Sequence, residues 1–239
     1  MKKQLVLVSA LAALFSVNSA NALIIDDFSI DQPDINLNGE SSSSLLQEGS
    51  TDNIIGGWRH TEVTMYDGTD DALTIVRVLA GSGLLDIVNS SSARSRTVMT
   101  WNADDLILGL GNLDLFDSGS TGIYLAFPIA MDHALDLMFE IEDYGNSTAM
   151  LTRLFPAGSQ GSDFFFSFSD FNNIAALSSA NSIRMTIDST TPGLDATIDL
   201  IESRDAPPSV VPEPATMALL GLGLLGLGFS RLKTKTRKA

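Results

Sequence analysis

Cysteine is absent from the 239-residue chain, and histidine occurs only twice. The absence of cysteine excludes disulfide bonds, thiol nucleophiles and thiolate-bound metals. His60 and His133 do not stand at the spacing of a zinc-binding helix motif, and each has a carboxylate close in sequence, Glu62 and Asp132. We therefore interpret both histidines as ion-paired side chains and not as metal ligands or catalytic bases.

Lysine is absent from the long segment between Leu23 and Pro212. The segment holds 7 arginines against 28 acidic residues, which leaves a net charge of −21. Nucleic acids and anionic lipid head groups both bind proteins through a cationic surface. The composition therefore predicts no nucleic-acid partner and no peripheral binding to an anionic membrane surface.

Long hydrophobic runs are also few, and the first lies at the amino terminus. Lys2 and Lys3 precede an apolar run over Leu5 to Val17, and Ala20-Asn21-Ala22 has the small-residue pattern of a cleavage site. This order predicts a signal peptide over residues 1–22, exported by the Sec machinery and removed by signal peptidase, with the mature chain starting at Leu23. An uncleaved anchor is the alternative, but the run is shorter than the roughly 20 residues that span a bilayer.

The second run lies near the carboxyl terminus, behind a short proline-flanked motif. Pro212, Glu213 and Pro214 are followed by an apolar stretch over Ala215 to Phe229 that contains four glycines. As a helix this stretch is about 22 Å long, against a hydrocarbon core of about 30 Å. The residues that end it are basic: Arg231, Lys233, Lys235, Arg237 and Lys238. We predict a single membrane helix over residues 215–230 and a cytoplasmic tail over residues 231–239.

Together, the motif, the glycine-rich span and the basic tail resemble the PEP-CTERM sorting signal of bacterial envelope proteins. In that family a membrane-embedded exosortase reads the signal. The resemblance implies that the helix is a transient anchor, that the exosortase cuts near Pro212-Glu213-Pro214, and that the body passes to the cell surface or the exopolysaccharide matrix. A permanent anchor on the periplasmic face is the alternative.

Between these two ends the chain has the length of one domain. Residues 206–214 contain four prolines, so this segment cannot join a sheet and is predicted to be a semi-rigid spacer. Residues 23–205 are predicted to form the body. Its clearest pattern is the alternation of Leu135, Leu137, Phe139 and Ile141 with polar or acidic neighbours, which indicates a half-buried strand.

About ten further short segments alternate in the same way and are separated by turn-prone residues. We predict an all-β fold, an antiparallel β-sandwich of the jelly-roll kind. Two regions depart from the alternation. Gln32 to Gly57 is rich in Ser, Asn and Gly and is predicted to be a long surface loop, and Phe171 to Ala180 is predicted to hold a short helical turn.

Three aromatic residues are candidates for ligand binding. Trp58 and Tyr66 share one face of a predicted strand, and Trp101 ends another. Flat rings on a sandwich can stack against sugar rings, so an extracellular polysaccharide is the predicted ligand. Ordinary packing in the core is the alternative for all three.

The ends of the body carry a second, weaker resemblance. The segments Ile24 to Phe28, Leu194 to Leu200 and Ser182 to Asp188 resemble terminal strands of galactose-binding-like jelly rolls, which occur in many carbohydrate-binding modules. That resemblance implies a structural Ca²⁺ held by carboxylates near the paired termini. The candidates are Asp26, Asp27 and Asp199. Solvated surface acids are the alternative.

These patterns lead us to expect an exported, non-enzymatic β-sandwich protein of the cell surface. A glycan-binding module on the same scaffold is the alternative. A third hypothesis is an envelope glycoside hydrolase that uses paired acids such as Asp70-Asp71 or Asp104-Asp105.

Overall fold

The structure is a computed structural model that describes residues 22–39, 41–67, 71–102 and 109–206. These residues form fourteen strands and four short 3-10 helices. The strands are β1 Leu23–Asp26, β2 Gln32–Asn38, β3 Ser42–Glu48, β4 Trp58–Asp67, β5 Leu73–Leu79, β6 Leu84–Asn89, β7 Arg94–Trp101, β8 Gly122–Phe127, β9 Leu135–Asp143, β10 Thr148–Phe155, β11 Gly161–Ser167, β12 Ala180–Ser189, β13 Asp195–Ile198 and β14 Ile201–Arg204. The 3-10 helices are Ile55–Gly57, Asp117–Gly119, Phe168–Asp170 and Ile174–Ser179.

The strands form three antiparallel sheets. One has six strands in the order β10-β9-β12-β7-β4-β3, and two have four strands in the orders β1-β14-β8-β11 and β13-β6-β5-β2. In each sheet some neighbouring strands are distant in sequence. For example, β12 pairs with both β7 and β9. This is the antiparallel β-sandwich that the alternation predicted.

A single hydrophobic core joins the inner faces of all three sheets. It takes Leu137 and Phe139 from the six-stranded sheet, Leu125 from one four-stranded sheet and Val76 from the other. Phe139 meets Phe166 of β11 edge to face, with ring centroids 5.0 Å apart. Apolar side chains at every second position therefore face inward, and the positions between them on the six-stranded sheet face outward.

Most predicted strands lie where the alternation placed them. The alternating segment over Leu135 to Ile141 is β9, and the 3-10 helix Ile174–Ser179 falls inside the predicted helical turn over Phe171 to Ala180. The prediction of a long loop over Gln32 to Gly57 was wrong, because this segment forms β2, β3 and a 3-10 helix. β3 is an edge strand with exposed serines, so its polar composition reflects its position at the margin of the sheet.

Candidate functional site

The outer face of the six-stranded sheet carries a row of side chains that crosses five strands. Strand register places Glu62 of β4 opposite Val98 of β7, and Val98 opposite Thr186 of β12. Thr186 lies opposite Met138 of β9, which lies opposite Thr152 of β10. Residues directly opposite each other in antiparallel strands share a face. These five residues therefore form one floor that runs across the strands for about 19 Å at ordinary strand spacing.

Two ion pairs rise on either side of this floor. On one side Arg184 Nη1 lies 2.8 Å from Glu140 Oε1, and on the other Arg96 Nη2 lies 2.8 Å from Asp188 Oδ2. Each ion pair stands two residues along the strands from the floor. We call these two ion pairs the ridges, and they lie about 13 Å apart. Both guanidinium groups remain nearly half exposed. The ridges present hydrogen-bond donors and acceptors toward the space between them.

The space between the ridges is a groove of about 450 Å³. Its lining is made of Glu62, Arg96, Val98, Thr100, Asp136, Met138, Thr152, Arg184, Thr186 and Asp188. Two arginines and three carboxylates leave the lining with a net charge of −1. Compared with the strong negative charge of the body, the groove is close to neutral.

Tyr66 borders the groove beside one of the ridges. Its ring centroid lies 5.1 Å from Arg96 Cζ and 5.5 Å from Arg94 Cζ, and the residue is 40% exposed. Burial raises the pKa of the Tyr66 hydroxyl above its ordinary value, and the charge of Asp188 raises it further. The guanidinium groups of Arg94 and Arg96 hold the ring in place, and the residue remains partly open to solvent.

Trp58 and Tyr66 lie at opposite ends of β4. Eight residues separate them, which is about 26 Å along a strand. Trp58 is half-buried and does not line the groove, whose β4 residue is Glu62. Tyr66 is thus the one of the three predicted aromatic residues that the structure brings to the groove.

Trp101 lies on the inner side of the same sheet and is fully buried. Its indole Nε1 donates a hydrogen bond to Asp26 Oδ2 at 2.9 Å. The structure therefore does not bring Trp101 to an exposed aromatic surface with Tyr66. It occupies the core, as the packing alternative held.

The three predicted calcium ligands have different surroundings. Both Asp26 oxygens accept hydrogen bonds from Arg59 Nη1 at 2.9 Å, and Asp26 and Arg59 are fully buried. Burial raises the pKa of Asp26, whereas Arg59 and Trp101 act in the opposite direction. Next to Asp26, where we expected a calcium ion, the structure has the guanidinium group of Arg59.

Asp27 and Asp199 lie near the paired chain ends but have separate partners. Burial acts to raise the pKa of Asp27, but hydrogen bonds from Ser29 and Asn53 outweigh it, so the pKa lies below its ordinary value. Asp199 Oδ1 accepts a hydrogen bond from the Leu200 N–H at 2.7 Å. Within the described residues, no group of three His, Cys, Asp or Glu side chains is arranged to hold a metal ion. The calcium prediction stays a prediction.

The histidines have the predicted acidic neighbours. His60 Nδ1 lies 3.6 Å from Glu62 Oε1, and His133 Nδ1 lies 3.1 Å from Asp132 Oδ1. Of the acid pairs considered for hydrolysis, Asp70, Asp104 and Asp105 lie outside the described residues.

The residues of the predicted sorting signal also lie outside the described residues. They are Pro212, Glu213, Pro214, Arg231, Lys233, Lys235, Arg237 and Lys238. The same holds for the signal peptide before Ala22 and for the membrane helix over residues 215–230. In the part of the chain that the structure describes, no helix has the length and apolar character needed to cross a membrane.

Sequence reasoning did not find the groove. The alternation in β9 placed Asp136, Met138 and Glu140 on one outer face, but their partners on β12 and β7 come from distant parts of the chain. One signal was available: the body has few cations, and Arg184 stands between the apolar residues Ile183 and Met185. Outward-facing arginines in a strongly acidic domain were candidates for ion pairs across strands.

Comparison with known proteins gave a family match at one end of the chain. A family model described as the PEP-CTERM protein-sorting motif matches residues 210–232. The search of curated proteins found no match. The predicted sorting motif is therefore confirmed, and it implies an exported protein that an exosortase sorts.

Solved structures similar to the chain include carbohydrate-binding modules. A family 11 module of the cellulase Lic26A-Cel5E of Clostridium thermocellum is 12% identical, with a TM-score of 0.36 over 78% of this chain and 95% of that one. The family 11 module from the same organism in complex with a β-1,3-1,4-mixed-linked tetrasaccharide is 11% identical, with a TM-score of 0.33 over 74% of this chain and 97% of that one.

An exo-β-agarase is a third similar structure, 13% identical with a TM-score of 0.42. The match covers 80% of this chain but only 25% of the agarase. The fold and the family match together give a two-part description. The chain is an antiparallel β-sandwich protein that carries a PEP-CTERM protein-sorting motif at residues 210–232.

Proposed function

We propose that this protein is delivered to the cell surface or the exopolysaccharide matrix and there binds a neutral polysaccharide, without catalysis, in the groove of the six-stranded sheet. The observation that carries the proposal is the pair of arginine–carboxylate ridges on either side of an uncharged central floor of Val98, Thr186 and Met138. The sorting motif supports the location.

The shape of the groove suits an extended polymer. It crosses the strands over about 19 Å and is about 13 Å wide between ridges, which admits one chain lying lengthwise. Guanidinium N–H groups and carboxylate oxygens on both sides can donate to and accept from the hydroxyl groups of successive sugars. Tyr66 adds a partly exposed aromatic ring beside one ridge, which can contact a sugar ring.

The charge of the groove favours a neutral polymer. Arg96 and Arg184 are the two cations of the lining, and each is already hydrogen-bonded to a carboxylate. The net charge of the lining is −1, and the surrounding body is strongly acidic. An anionic polymer would therefore be repelled, whereas a neutral one pays no such cost.

The proposal of binding without catalysis rests on how the groove uses its acids. Hydrolysis of a glycosidic bond needs one carboxyl group that delivers a proton and a second that acts as nucleophile or base. Glu140 and Asp188 instead accept hydrogen bonds from Arg184 and Arg96 and form the ridges. Such fixed ion pairs keep hydrogen-bond donors and acceptors at set positions along a bound polymer. The other lining carboxylates, Glu62 and Asp136, belong to β4 and β9, whose backbones lie about 14 Å apart with β7 and β12 between them. Hydrolysis needs a separation of about 5 to 10 Å.

Affinity electrophoresis through gels that contain a neutral polysaccharide tests the binding proposal. The variants Arg184→Ala and Tyr66→Ala should each run faster than the unchanged protein, because each removes a contact that the polymer uses. Arg77→Ala is the matched control. Arg77 forms the same kind of surface pair, with Asp86 at 2.8 Å, but it lies on β5 of another sheet.

In that experiment the control should be retarded as strongly as the unchanged protein. Each mobility is divided by that of the same protein in a gel without polymer, because the two arginine substitutions change the net charge. Equal ratios for all four proteins would contradict polysaccharide binding in this groove. Melting temperatures measured in parallel ensure that a variant with lost retention is still folded.

We also propose the steps by which the protein reaches the surface. Signal peptidase releases the chain at Leu23, the hydrophobic span holds it in the inner membrane, and the exosortase then removes the residues after Pro214. Mass spectrometry of surface-located protein should find a species that begins at Leu23 and lacks residues 215–239. Surface protein that retains its basic tail would contradict this order of events.

Substitution of Glu213 by Ala tests the role of the motif. The variant should accumulate in the membrane fraction at its uncut mass, since the recognition sequence is damaged while the hydrophobic span is intact. Substitution of Glu48, an exposed acid of β3, by Ala is a control for the loss of an acid elsewhere, and its sorting should be unchanged.

A further inference from the structure

On β10, the residues in line with the two ridges of the groove are apolar instead of charged. Register places Met150 opposite Glu140, so it continues the ridge formed by Arg184 and Glu140. It places Leu154 opposite Asp136 on the other side. Both ridges are therefore charged over β12 and β9 and apolar over β10.

These apolar side chains are open to solvent. Leu154 is 63% exposed, which makes it the most exposed large hydrophobic residue in the described part of the chain, and Met150 is 37% exposed. Between them Thr152 lies on the floor, opposite Met138. We define these four residues as the apolar end of the groove: Thr152 and Met138 line the groove, and Met150 and Leu154 stand at its margin on β10.

Pairing with another strand does not account for this surface. β10 is an edge strand, but at Met150 its backbone is already used: the Met150 N–H donates to Asn172 Oδ1 at 2.8 Å, and the Asn172 N–H donates to the Met150 carbonyl at 3.3 Å. The exposed side chains point to the outer face, which is the same face as the groove.

We propose that the polysaccharide bound in this groove carries O-acyl groups, such as acetyl esters, and that their methyl groups pack against the apolar end. This inference rests on the function proposed above. An ester offers two chemical features at once, a methyl group and a carbonyl acceptor. The apolar end supplies Met150 and Leu154 for the methyl group, and Arg184 and the Thr152 hydroxyl supply donors for the carbonyl.

An unsubstituted sugar chain would gain little binding free energy at the apolar end of the groove. Its hydroxyl groups would lose water against Leu154 and Met150 without gaining a hydrogen bond. Each acetyl methyl group that leaves water against these side chains should tighten binding by about fourfold, since burial of one methyl-sized group has about that effect on an equilibrium constant.

The test uses one water-soluble glucomannan in its acetylated form and after mild alkaline deacetylation. Dissociation constants are measured by affinity electrophoresis for the unchanged protein and for the variant Met150→Thr with Leu154→Ser. The unchanged protein should bind the acetylated polymer at least about fourfold more tightly. The double variant should bind both forms with the affinity that the unchanged protein shows for the deacetylated one.

The control variant is Ile129→Ser, which removes a similarly exposed apolar side chain, 59% accessible, from the segment between β8 and β9, outside the strands that form the groove. It should keep the preference for the acetylated polymer. Equal affinity for both polymers in the unchanged protein would overturn the O-acyl inference while leaving polysaccharide binding in place. Retention of neither polymer would overturn both proposals. A double variant that keeps the full preference would overturn the assignment to the apolar end.

Discussion

Asp26 and Arg59 form an ion pair in the interior of the sandwich, with Arg59 Nη1 2.9 Å from each carboxylate oxygen and both residues fully buried. Asp26 ends β1, at the start of the body, and Arg59 belongs to β4 of the six-stranded sheet. Arg59 Nε also donates to Gln32 Oε1 at 3.1 Å. The pair thus ties the first strand and β2 to the sheet that carries the groove.

The first prediction concerns this pair. Asp26→Ala should lower the free energy of unfolding by about 3 to 5 kcal/mol, because it leaves the Arg59 charge buried without a partner. Asp170→Ala is the control: Asp170 lies 2.7 Å from Arg153, but both side chains are well exposed. Exposed pairs contribute at most about 1 kcal/mol.

Urea denaturation of the two variants measures the difference. Similar losses of unfolding free energy in both variants would contradict the full burial of the Asp26–Arg59 pair. A double variant that replaces Asp26 and Arg59 with apolar residues of similar size should recover part of the loss, since it removes the unpaired charge.

Tryptophan fluorescence provides the second prediction. The chain has only two tryptophans, so Trp58→Phe leaves Trp101 as the sole indole. Emission of that variant should resist quenching by acrylamide, because Trp101 is fully buried. The reciprocal variant Trp101→Phe leaves the half-buried Trp58, which should be quenched more strongly. Equal quenching of the two would contradict the core position of Trp101.

The strands could be predicted because their pattern is local. The alternation in β9 is visible in nine consecutive residues, so this strand can be recognised without knowing which strands pair with it. β3 was missed because an edge strand can be polar on both faces, and Ser42 to Ser44 show no alternation.

The groove could not be predicted because it depends on long-range register. Arg96 and Asp188 are 92 residues apart in the chain, and Arg184 and Glu140 are 44 apart. Alternation identifies Arg184 and Glu140 as outward-facing but does not give the order of strands in the sheet. The inward position of Trp101 was readable from its parity with Met99, whereas its bond to Asp26 was not, since that contact spans 75 residues.

The third prediction concerns Gly122, at the start of β8. A Cβ atom at this position would overlap the ring of Phe165 and the carbonyl of Phe166 on the paired strand β11. Gly122→Ala should therefore lower the free energy of unfolding by about 1 to 3 kcal/mol or more. Gly81→Ala is the matched control, because no described atom lies within 4 Å of its Cβ position. Its effect should stay within about 0.5 kcal/mol. Equal effects of the two substitutions would show that β8 and β11 are not packed this closely.

The last prediction concerns divalent cations. A net charge of −21 on the body raises the free energy of the compact state, so any added cation should stabilise the fold by screening. A specific calcium site needs several free carboxylate or carbonyl oxygens. Asp26, one of the three candidates from the sequence, has both oxygens bound by Arg59, and the indole of Trp101 adds a further donor.

We therefore expect the melting temperature in millimolar calcium to equal that in millimolar magnesium at the same ionic strength, because screening does not distinguish the two ions. Asp199→Asn tests the remaining carboxylate near the chain ends, and it should respond to both ions as the unchanged protein does. A larger gain from calcium that Asp199→Asn abolishes would instead establish a specific site at the paired termini, because screening depends on the charge of the ion and not on one side chain.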